Sequence, residues 1–450
     1  MTNSCNKLLE TYNTNILSTI DPKIKNLFLT TAKISNQIHL KKGNKILLSL
    51  LNNYIKNDTP TPQYIGGPKT LSLHWNKEYQ MTIYIFGEYH HSETDCHLFP
   101  KNIANNCPKG QIRNPKSSRC VSKTGVLGKK LLADNSYTEP KTQLIENFLF
   151  DLVKTTPVFL DIYIEFAAFK EMGHDFSYIP GQRVGKIFDK LKNCLFTYSR
   201  DSSLCDLLRL HYIDIRKGDK EVNPISYLRK LINYNFSLQF HSRENIIKKF
   251  KHLLKTDTKF LMILKNLNSF ELEDFKKYMK NQILDNPPTL KEMNKSFLKD
   301  KILSFVTENI VQTGLQQREY LQKYIHILLD TKSTDSQLLD ALSVLNNSTV
   351  MINARVVDVY TLSRIFKKFD TKKSKDVGFN INYQPEIPHN IIIYAGDAHS
   401  DVYRKFLKYI GSEEIAMSGP REIKNSPINN CLDLTNFPMP FFNSFPPQNN

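Results

Sequence analysis

The chain has 450 residues, with 61 Lys and Arg against 44 Asp and Glu, which gives a formal charge of +17. Its 40% hydrophobic content is enough to bury a large core, which excludes wholesale disorder. No run approaches the roughly 20 apolar residues of a membrane span, and the polar start lacks the apolar centre of a signal peptide. We therefore expect a soluble intracellular protein. Its seven cysteines, an odd number over a long chain, favour reduced thiols over a disulfide framework.

Short runs rich in Ile, Val, Tyr and Phe predict strands, and amphipathic patterns between them predict helices. The predicted strands are Met81–Phe86, Val158–Glu165, Leu208–Ile215 and Asn390–Ala395. The predicted helices of this region are Lys141–Lys154, Val184–Cys194, Leu204–Leu208 and Asp401–Ile410. The near-continuous apolar character of the strands predicts an α/β fold, with a mostly parallel sheet covered by flanking helices.

Composition divides the chain into five predicted parts. They are an N-terminal helical segment at 1–75, an α/β domain at 76–220 plus 345–415, a small Cys-containing basic insertion at 101–133, a large helical insertion at 221–344 and a Pro-rich flexible tail at 416–450. Within the mostly helical stretch 224–367, Leu, Ile and Phe recur at three- and four-residue spacing among lysines, broken at Pro287-Pro288. These lysines form a solvated basic face or, as the alternative, a binding arm.

The positive net charge would favour binding to nucleic acid or to an acidic membrane surface, but it could equally serve only to keep the surface soluble. No aromatic-interleaved RNA motif, zinc finger or helix-turn-helix stands out, so nucleic acid is a possible partner that the sequence does not favour. The last prolines and phenylalanines predict a flexible end or a short docking peptide.

Ionisable residues follow every predicted strand, and ligands of parallel α/β sheets bind at those carboxyl ends. The residues concerned are Glu88, His90 and His91 after the first strand, Glu165 after the second, His211, Asp214 and Arg216 in or after the third, and Asp397 and His399 after the fourth. The first and last endings share the form Gly-acid-x-His, of which composition predicts roughly 0.04 chance copies per chain.

Glycine would let the backbone turn where each strand stops, and the acid and imidazole beyond it would project into one crevice. Such groups bind a divalent metal or act as general acid and base. The alternative is that they only satisfy loop backbones.

The paired motifs resemble those of the TraB/Tiki and erythromycin-esterase/ChaN-like superfamily. On that resemblance Glu88 and His90 match the first motif, Glu165 an intermediate acid, Arg355 a late arginine and His399 the second histidine. The same residues also fit an esterase-type Gly-Glu-x-x-His motif, which ends at His91. The Arg209-x-His211-x-x-Asp214-x-Arg216 run has no counterpart in the family pattern.

The resemblance implies hydrolysis, because its members include metal-dependent peptidases and esterases. Glu88 or a bound divalent metal would activate water, His90 and His399 would hold the metal or shuttle protons, and Arg355 would stabilise an oxyanion. Arg216 would be a second anion clamp or an ion-pair partner of Asp214. His211, within an apolar strand, is a site residue or a satisfied core histidine.

The segment from Cys107 to Leu132, with its Cys-Pro-x-Gly start, Arg-Asn-Pro and Arg-Cys-Val, is similar to the two-cysteine adaptor domain of large DNA viruses. The resemblance implies a viral protein in the host cytoplasm or the virion. Residues 101–133 contain eight Lys and Arg and no acid, which suits docking on acidic host or viral proteins. Cys107 and Cys120 would pair, join Cys96 and His97 around zinc, or stay as free thiols.

We therefore expect a viral hydrolase. The alternative is a non-catalytic adaptor that docks partners through the two-cysteine module, and a third reading is haem binding.

Overall fold

A computed structural model describes residues 61–88, 111–113, 120–133, 142–156, 158–166, 183–191, 208–215, 242–269, 271–285, 287–370, 385–420 and 431–442. They fall in two compact units. Unit 1 contains the described residues up to Tyr212 and from Phe369 onward, and unit 2 spans Ile213–Lys368. Among these residues, no helix has both the length and the apolar character needed to cross a membrane.

A six-stranded sheet forms the centre of unit 1. Its strands in spatial order are β10 (Glu413–Ser418), β2 (Thr70–Asn76), β3 (Met81–Glu88), β9 (Asn390–Gly396), β7 (Leu160–Ile164) and β8 (Leu208–Tyr212). The four strands from β3 to β8 are parallel, while β2 and β10 are antiparallel to their neighbours. The chain is therefore an α/β protein with a mixed sheet.

All four strands predicted from apolar runs are present as β3, β7, β8 and β9. One face of the sheet packs against α2 (Ile145–Thr155) and α3 (Arg183–Leu191) and holds the main apolar core. The opposite face packs against α11 (Asp397–Tyr409), which follows β9 directly. Helices α3 and α11, which follow β7 and β9, thus lie on opposite faces. In open α/β sheets this change of face opens a crevice at the carboxyl ends of the strands.

The sequence did not predict β2, although it pairs with β3 along its whole length. Thr70, Ser72 and His74 alternate with Leu71 and Leu73, and all five are buried. The apolar residues belong to the main core. The polar ones face the same side as Gly87, where α11 packs. A buried strand with one polar face does not produce the apolar run from which strands were predicted.

The prediction of a flexible tail at 416–450 is wrong for its described residues. Strand β11 (Cys431–Asp433) pairs with β1 (Tyr64–Gly66), which also pairs with β6 (Thr142–Leu144). Phe441 is buried against the ring of Tyr84 with 4.0 Å between ring centroids, and the Phe442 amide donates to the Tyr84 hydroxyl at 3.2 Å. Prolines interrupt regular secondary structure in this segment, but the phenylalanines between them fill the core. Cys431 is disulfide-bonded, so the expectation of reduced thiols fails at this position.

Unit 2 is helical, as the lysine-rich apolar periodicity predicted. Its helices are α4 (Arg243–Thr256), α5 (Thr258–Ser269), α6 (Leu272–Leu284), α7 (Pro287–Met293), α8 (Lys299–Phe305), α9 (Val311–Leu329) and α10 (Asp335–Ile365), with a π-helical segment at Val306–Ile310. The predicted break at Pro287-Pro288 is present, because α7 begins at Pro287, where the missing N–H costs nothing.

The domain boundary at 344/345 differs from the boundary in the structure. A capping box at Thr334 and Gln337 starts the 31-residue helix α10, which carries residues 345–365 into unit 2. Residues 61–75, predicted as the end of the N-terminal helical segment, contain β1 and all of β2 except its last residue. Residues 1–60 lie outside the described part of the chain.

The two-cysteine segment contains a hairpin of β4 (Gln111–Arg113) and β5 (Cys120–Ser122), followed by α1 (Val126–Ala133). Cys107 lies outside the described residues, as does the side chain of Cys120.

Candidate active site

The register of the central strands brings the predicted acidic residues to one edge of the sheet. Glu88, the last residue of β3, lies opposite Gly396, the last residue of β9. On the other side of β9, the Glu165 amide donates to the Tyr394 carbonyl at 2.9 Å, directly after β7. The carboxyl ends of β3, β7 and β9 and the start of α11 therefore meet where the sequence analysis predicted a site.

A buried carboxylate and imidazole form the best-defined pair at this edge. One oxygen of Glu165 accepts the Gly396 backbone N–H at 2.7 Å, and its other oxygen lies 3.2 Å from Nε2 of His399. Both side chains are buried. Because the backbone amide fixes the carboxylate, the carboxylate in turn fixes the orientation of the ring. The ring of Tyr403, one turn further along α11, stacks beside His399 at a centroid distance of 6.4 Å.

Asp397, the first residue of α11, is held against β2. Its Oδ1 accepts a 2.6 Å hydrogen bond from the Thr70 hydroxyl and a 3.3 Å contact from the Arg404 guanidinium. Its Oδ2 is buried and has no hydrogen-bond partner within the described part of the chain. A carboxylate at the first turn is also favoured by the helix dipole.

Gly87 permits this arrangement because it has no side chain to occupy the space, and not because the backbone turns there. It lies within β3, and a Cβ added there would be 2.2 Å from Asp397 Oδ1 and 2.4 Å from the Thr70 hydroxyl oxygen. The expected role of this glycine at a sharp turn is therefore replaced by a close approach between a strand and a helix start.

The two Gly-acid-x-His motifs are not structurally equivalent. Glu88 is still in β3, and its Oε2 accepts a 2.5 Å hydrogen bond from Tyr394, whose ring belongs to the main core. Asp397 lies across Gly87 on the other face. Side chains alternate along a strand, and the motifs are offset by one position, because Gly396 pairs with Glu88 and not with Gly87. The two acids thus lie on opposite faces of the sheet.

The structure places some of the predicted site residues elsewhere and does not describe others. His90, His91 and Arg216 lie outside the described residues. Asp214 belongs to unit 2. Arg355 is in the interior of α10 in the same unit, where its guanidinium lies 2.9 Å from Asp358 and its Nε donates to the Met351 carbonyl at 3.2 Å. These described contacts of Arg355 lie within its own helix.

His211 lies in a different buried cluster, near the amino end of β7. Its Nε2 is 2.8 Å from Asp161 Oδ1, and its ring stacks on Tyr163 at 4.3 Å. Arg209 binds both oxygens of Asp161. Burial alone would raise the pKa of Asp161, but the charge of Arg209 and the hydrogen bonds outweigh it and lower that pKa. These contacts match the reading of His211 as a satisfied core histidine.

Thr70, His74 and Arg404 are residues that the sequence analysis missed. They line the polar layer between β2 and α11, where His74 Nε2 lies 2.9 Å from the Ser72 hydroxyl. Burial, and secondly the charge of Arg404, lower the pKa of His74 to about 4. Arg404 lies seven residues after Asp397, two helical turns along one face of α11, and this spacing was the only available signal.

No three His, Cys, Asp or Glu side chains are placed to hold a metal among the residues that the structure describes. Of the predicted ligand set, Glu88 contacts Tyr394 and His399 contacts Glu165, while His90 is undescribed. The described residues alone therefore do not make a metal site.

Comparison of the chain with protein-family models, with curated proteins and with solved structures finds no match.

Proposed function

We propose that the protein is a hydrolase whose acid–base group is the Glu165–His399 pair at the carboxyl edge of the sheet. The observation that supports this most directly is the double engagement of Glu165, which accepts a backbone N–H with one oxygen and meets His399 Nε2 with the other. A carboxylate that orients an imidazole is a common arrangement for proton transfer. The position fits as well, since ligands of α/β sheets bind where successive helices change faces.

In this mechanism Glu165 holds the proton of Nε2 and stabilises the imidazolium that forms during the reaction. The other ring nitrogen of His399, Nδ1, takes a proton from water and returns it to the leaving group. Glu88, at the end of β3, and Asp397, at the start of α11, lie at the same edge on opposite faces of the sheet. Peptide and ester bonds are the candidate substrates, in line with the resemblance to the TraB/Tiki and erythromycin-esterase/ChaN-like group.

We regard the parallel strands β3, β9, β7 and β8 as the catalytic framework, with the helical unit inserted between β8 and β9 and the two-cysteine segment inserted after β3. A divalent metal would require His90 or His91 as an additional ligand. The proton transfers by Glu165 and His399 do not depend on a metal.

The test compares His399→Ala and Glu165→Gln with wild type on a panel of p-nitrophenyl esters and fluorogenic peptides. We expect kcat/KM to fall by about 10² to 10⁴ in His399→Ala, the usual contribution of a general acid or base. Glu165→Gln keeps an oxygen for the Gly396 amide but removes the charge, so it should shift the pH profile.

The matched control is His389→Ala, which removes an imidazole at the amino end of β9, where it contacts the Gln80 carbonyl at 3.0 Å. It should leave activity unchanged. Equal activity of His399→Ala and wild type on every substrate cleaved would refute the assignment. Metal analysis of the purified wild type, with and without chelator, tests the metal separately.

The second candidate function is docking through the two-cysteine module, and the exposure of α1 favours it. Val126 is 89% exposed and Leu127 44% exposed in the first turn of this helix. Lys123, Lys129 and Lys130 are exposed around them. An exposed apolar tip among cations suits an acidic partner protein with an apolar pocket, whether from the host cytoplasm or the virion.

The docking function is tested by quantitative affinity purification with wild type and Val126→Asp. A protein captured by wild type, lost with the variant and rebound after purification would support docking. Binding that survives Val126→Asp would exclude this surface.

A further inference from the structure

Helix α4 of unit 2 separates its apolar and basic residues onto two faces. Ile246, Ile247 and Phe250 are buried in the unit. Lys248, Lys251, His252 and Lys255 are exposed. Residues three and four apart lie on one side of a helix, so these four share the solvent face. From Lys248 to Lys255 the face extends about 10 Å along the axis, at 1.5 Å per residue.

Three acids lie near this face. Glu244, four residues before Lys248, is exposed on the same side of α4 and forms no ion pair within 4.0 Å among the described residues. Asp257 follows α4 and uses its Oδ1 to accept the Phe260 amide at 2.9 Å, which caps α5. Lys251 pairs with Asp335 at 3.0 Å, and both side chains are more than half exposed. In the described part of the chain, neither Lys248 nor Lys255 forms an ion pair within 4.0 Å.

We propose that the solvent face of α4, formed by Lys248, Lys251, His252 and Lys255, binds the phosphate backbone of nucleic acid. Cations spaced along one side of a rigid helix bind a polyanion by releasing its condensed counterions. The face carries no exposed aliphatic or aromatic side chain between its lysines, whereas helices that lie on membranes insert apolar residues. This favours nucleic acid over an anionic bilayer. The proposal is independent of the hydrolase proposed above.

The ion pair between Lys251 and Asp335 provides a sensitive test. Asp335 holds one of the cations, so removing its charge should release Lys251 for a phosphate. The start of α10 should survive, because Thr334 and Gln337 form its capping box without Asp335. Asp335→Asn should therefore bind more tightly than wild type, a gain that loss of folding cannot imitate.

The experiment titrates the full chain into a fluorescein-labelled 20-base-pair DNA duplex and follows anisotropy from 25 to 200 mM NaCl. The chain carries a charge of +17, so binding alone would not locate the surface, and the salt dependence is compared between variants. Each phosphate contact contributes about 0.9 to the slope of log K against log salt concentration. Lys248→Gln/Lys255→Gln should lower that slope by about 1.8, and Asp335→Asn should raise it by about 0.9.

The matched control, Lys276→Gln/Lys299→Gln, removes the same charge from other helices of unit 2, where Lys276 pairs with Glu273 and Lys299 with Asn294. Its slope should equal that of wild type. An equal loss of slope in the control would show a general charge effect and overturn the proposal. So would an unchanged slope in Lys248→Gln/Lys255→Gln, or binding to anionic phosphatidylserine vesicles without binding to the duplex.

Discussion

Replacing Gly87 with alanine tests the contact between β3 and the start of α11. The new Cβ would lie 2.2 Å from Asp397 Oδ1 and 2.4 Å from the Thr70 hydroxyl oxygen, whereas real Cβ atoms keep at least 3.0 Å from such atoms. Asp397 and Thr70 must therefore move apart, which breaks their 2.6 Å hydrogen bond. A hydrogen bond to a charged group contributes about 1.5–3 kcal/mol, and overpacking costs about 1–3 kcal/mol. We expect unit 1 to lose about 3–5 kcal/mol of unfolding free energy.

The assay is urea denaturation followed by the fluorescence of Trp75. This is the only tryptophan of the chain, and it lies in β2, so its signal reports unit 1. Gly411→Ala is the matched control, because its added methyl meets no atom within 4 Å and costs only the strain of a φ of +79°, about 1–2 kcal/mol. If Gly87→Ala were no less stable than Gly411→Ala, α11 could not start where the structure places it.

Three further predictions use the same fluorescence assay. Phe441→Ala should cost about 3–5 kcal/mol because it empties a buried aromatic site, whereas Tyr409→Ala, at an exposed position, should change stability by less than about 0.5 kcal/mol; equal effects would mean that the C-terminal segment is not in the core. Burial lowers the pKa of His74 from 6.5 to about 4, so the unfolded chain binds the proton at a higher pH than the folded chain does. The free energy of unfolding should therefore be highest above pH 6.5 and fall by about 3 kcal/mol towards pH 4. It should fall less in His74→Gln. Arg209→Ala leaves the buried carboxylate of Asp161 without its main cation and should cost about 3–5 kcal/mol, part of which Asp161→Asn in the same chain should restore.

The sequence predicted the parallel strands well because their signal is local. β3, β7 and β9 are buried on both faces, so their own residues are nearly all apolar, while the edge strand β8 keeps apolar residues at Leu208 and Leu210. The helices of unit 2 were predictable for a similar reason, because a three- and four-residue spacing directly expresses one buried face. Strand β2 and the segment around Phe441 were missed because their burial depends on partners far away in the chain.

The candidate site was predictable in position but not in arrangement. The sequence shows that acidic residues follow the strands. Parallel strands place their carboxyl ends at one edge of the sheet, whatever the spatial order of the strands. The pairing of Glu165 with His399 could not be read, since it depends on β9 lying between β3 and β7. The repeated motif also suggested an equivalence between Glu88 and Asp397 that the strand register removes.

By itself, the sequence determined which segments bury apolar residues on both faces and which residues follow them, because composition and periodicity are properties of neighbouring positions. Only the tertiary structure decided which face each side chain of the edge occupies, that Gly87 makes room for Asp397, and that Arg355 belongs to the helical unit. The first two features depend on contacts between residues hundreds of positions apart. A one-residue offset in strand register is enough to move a carboxylate from one side of the sheet to the other.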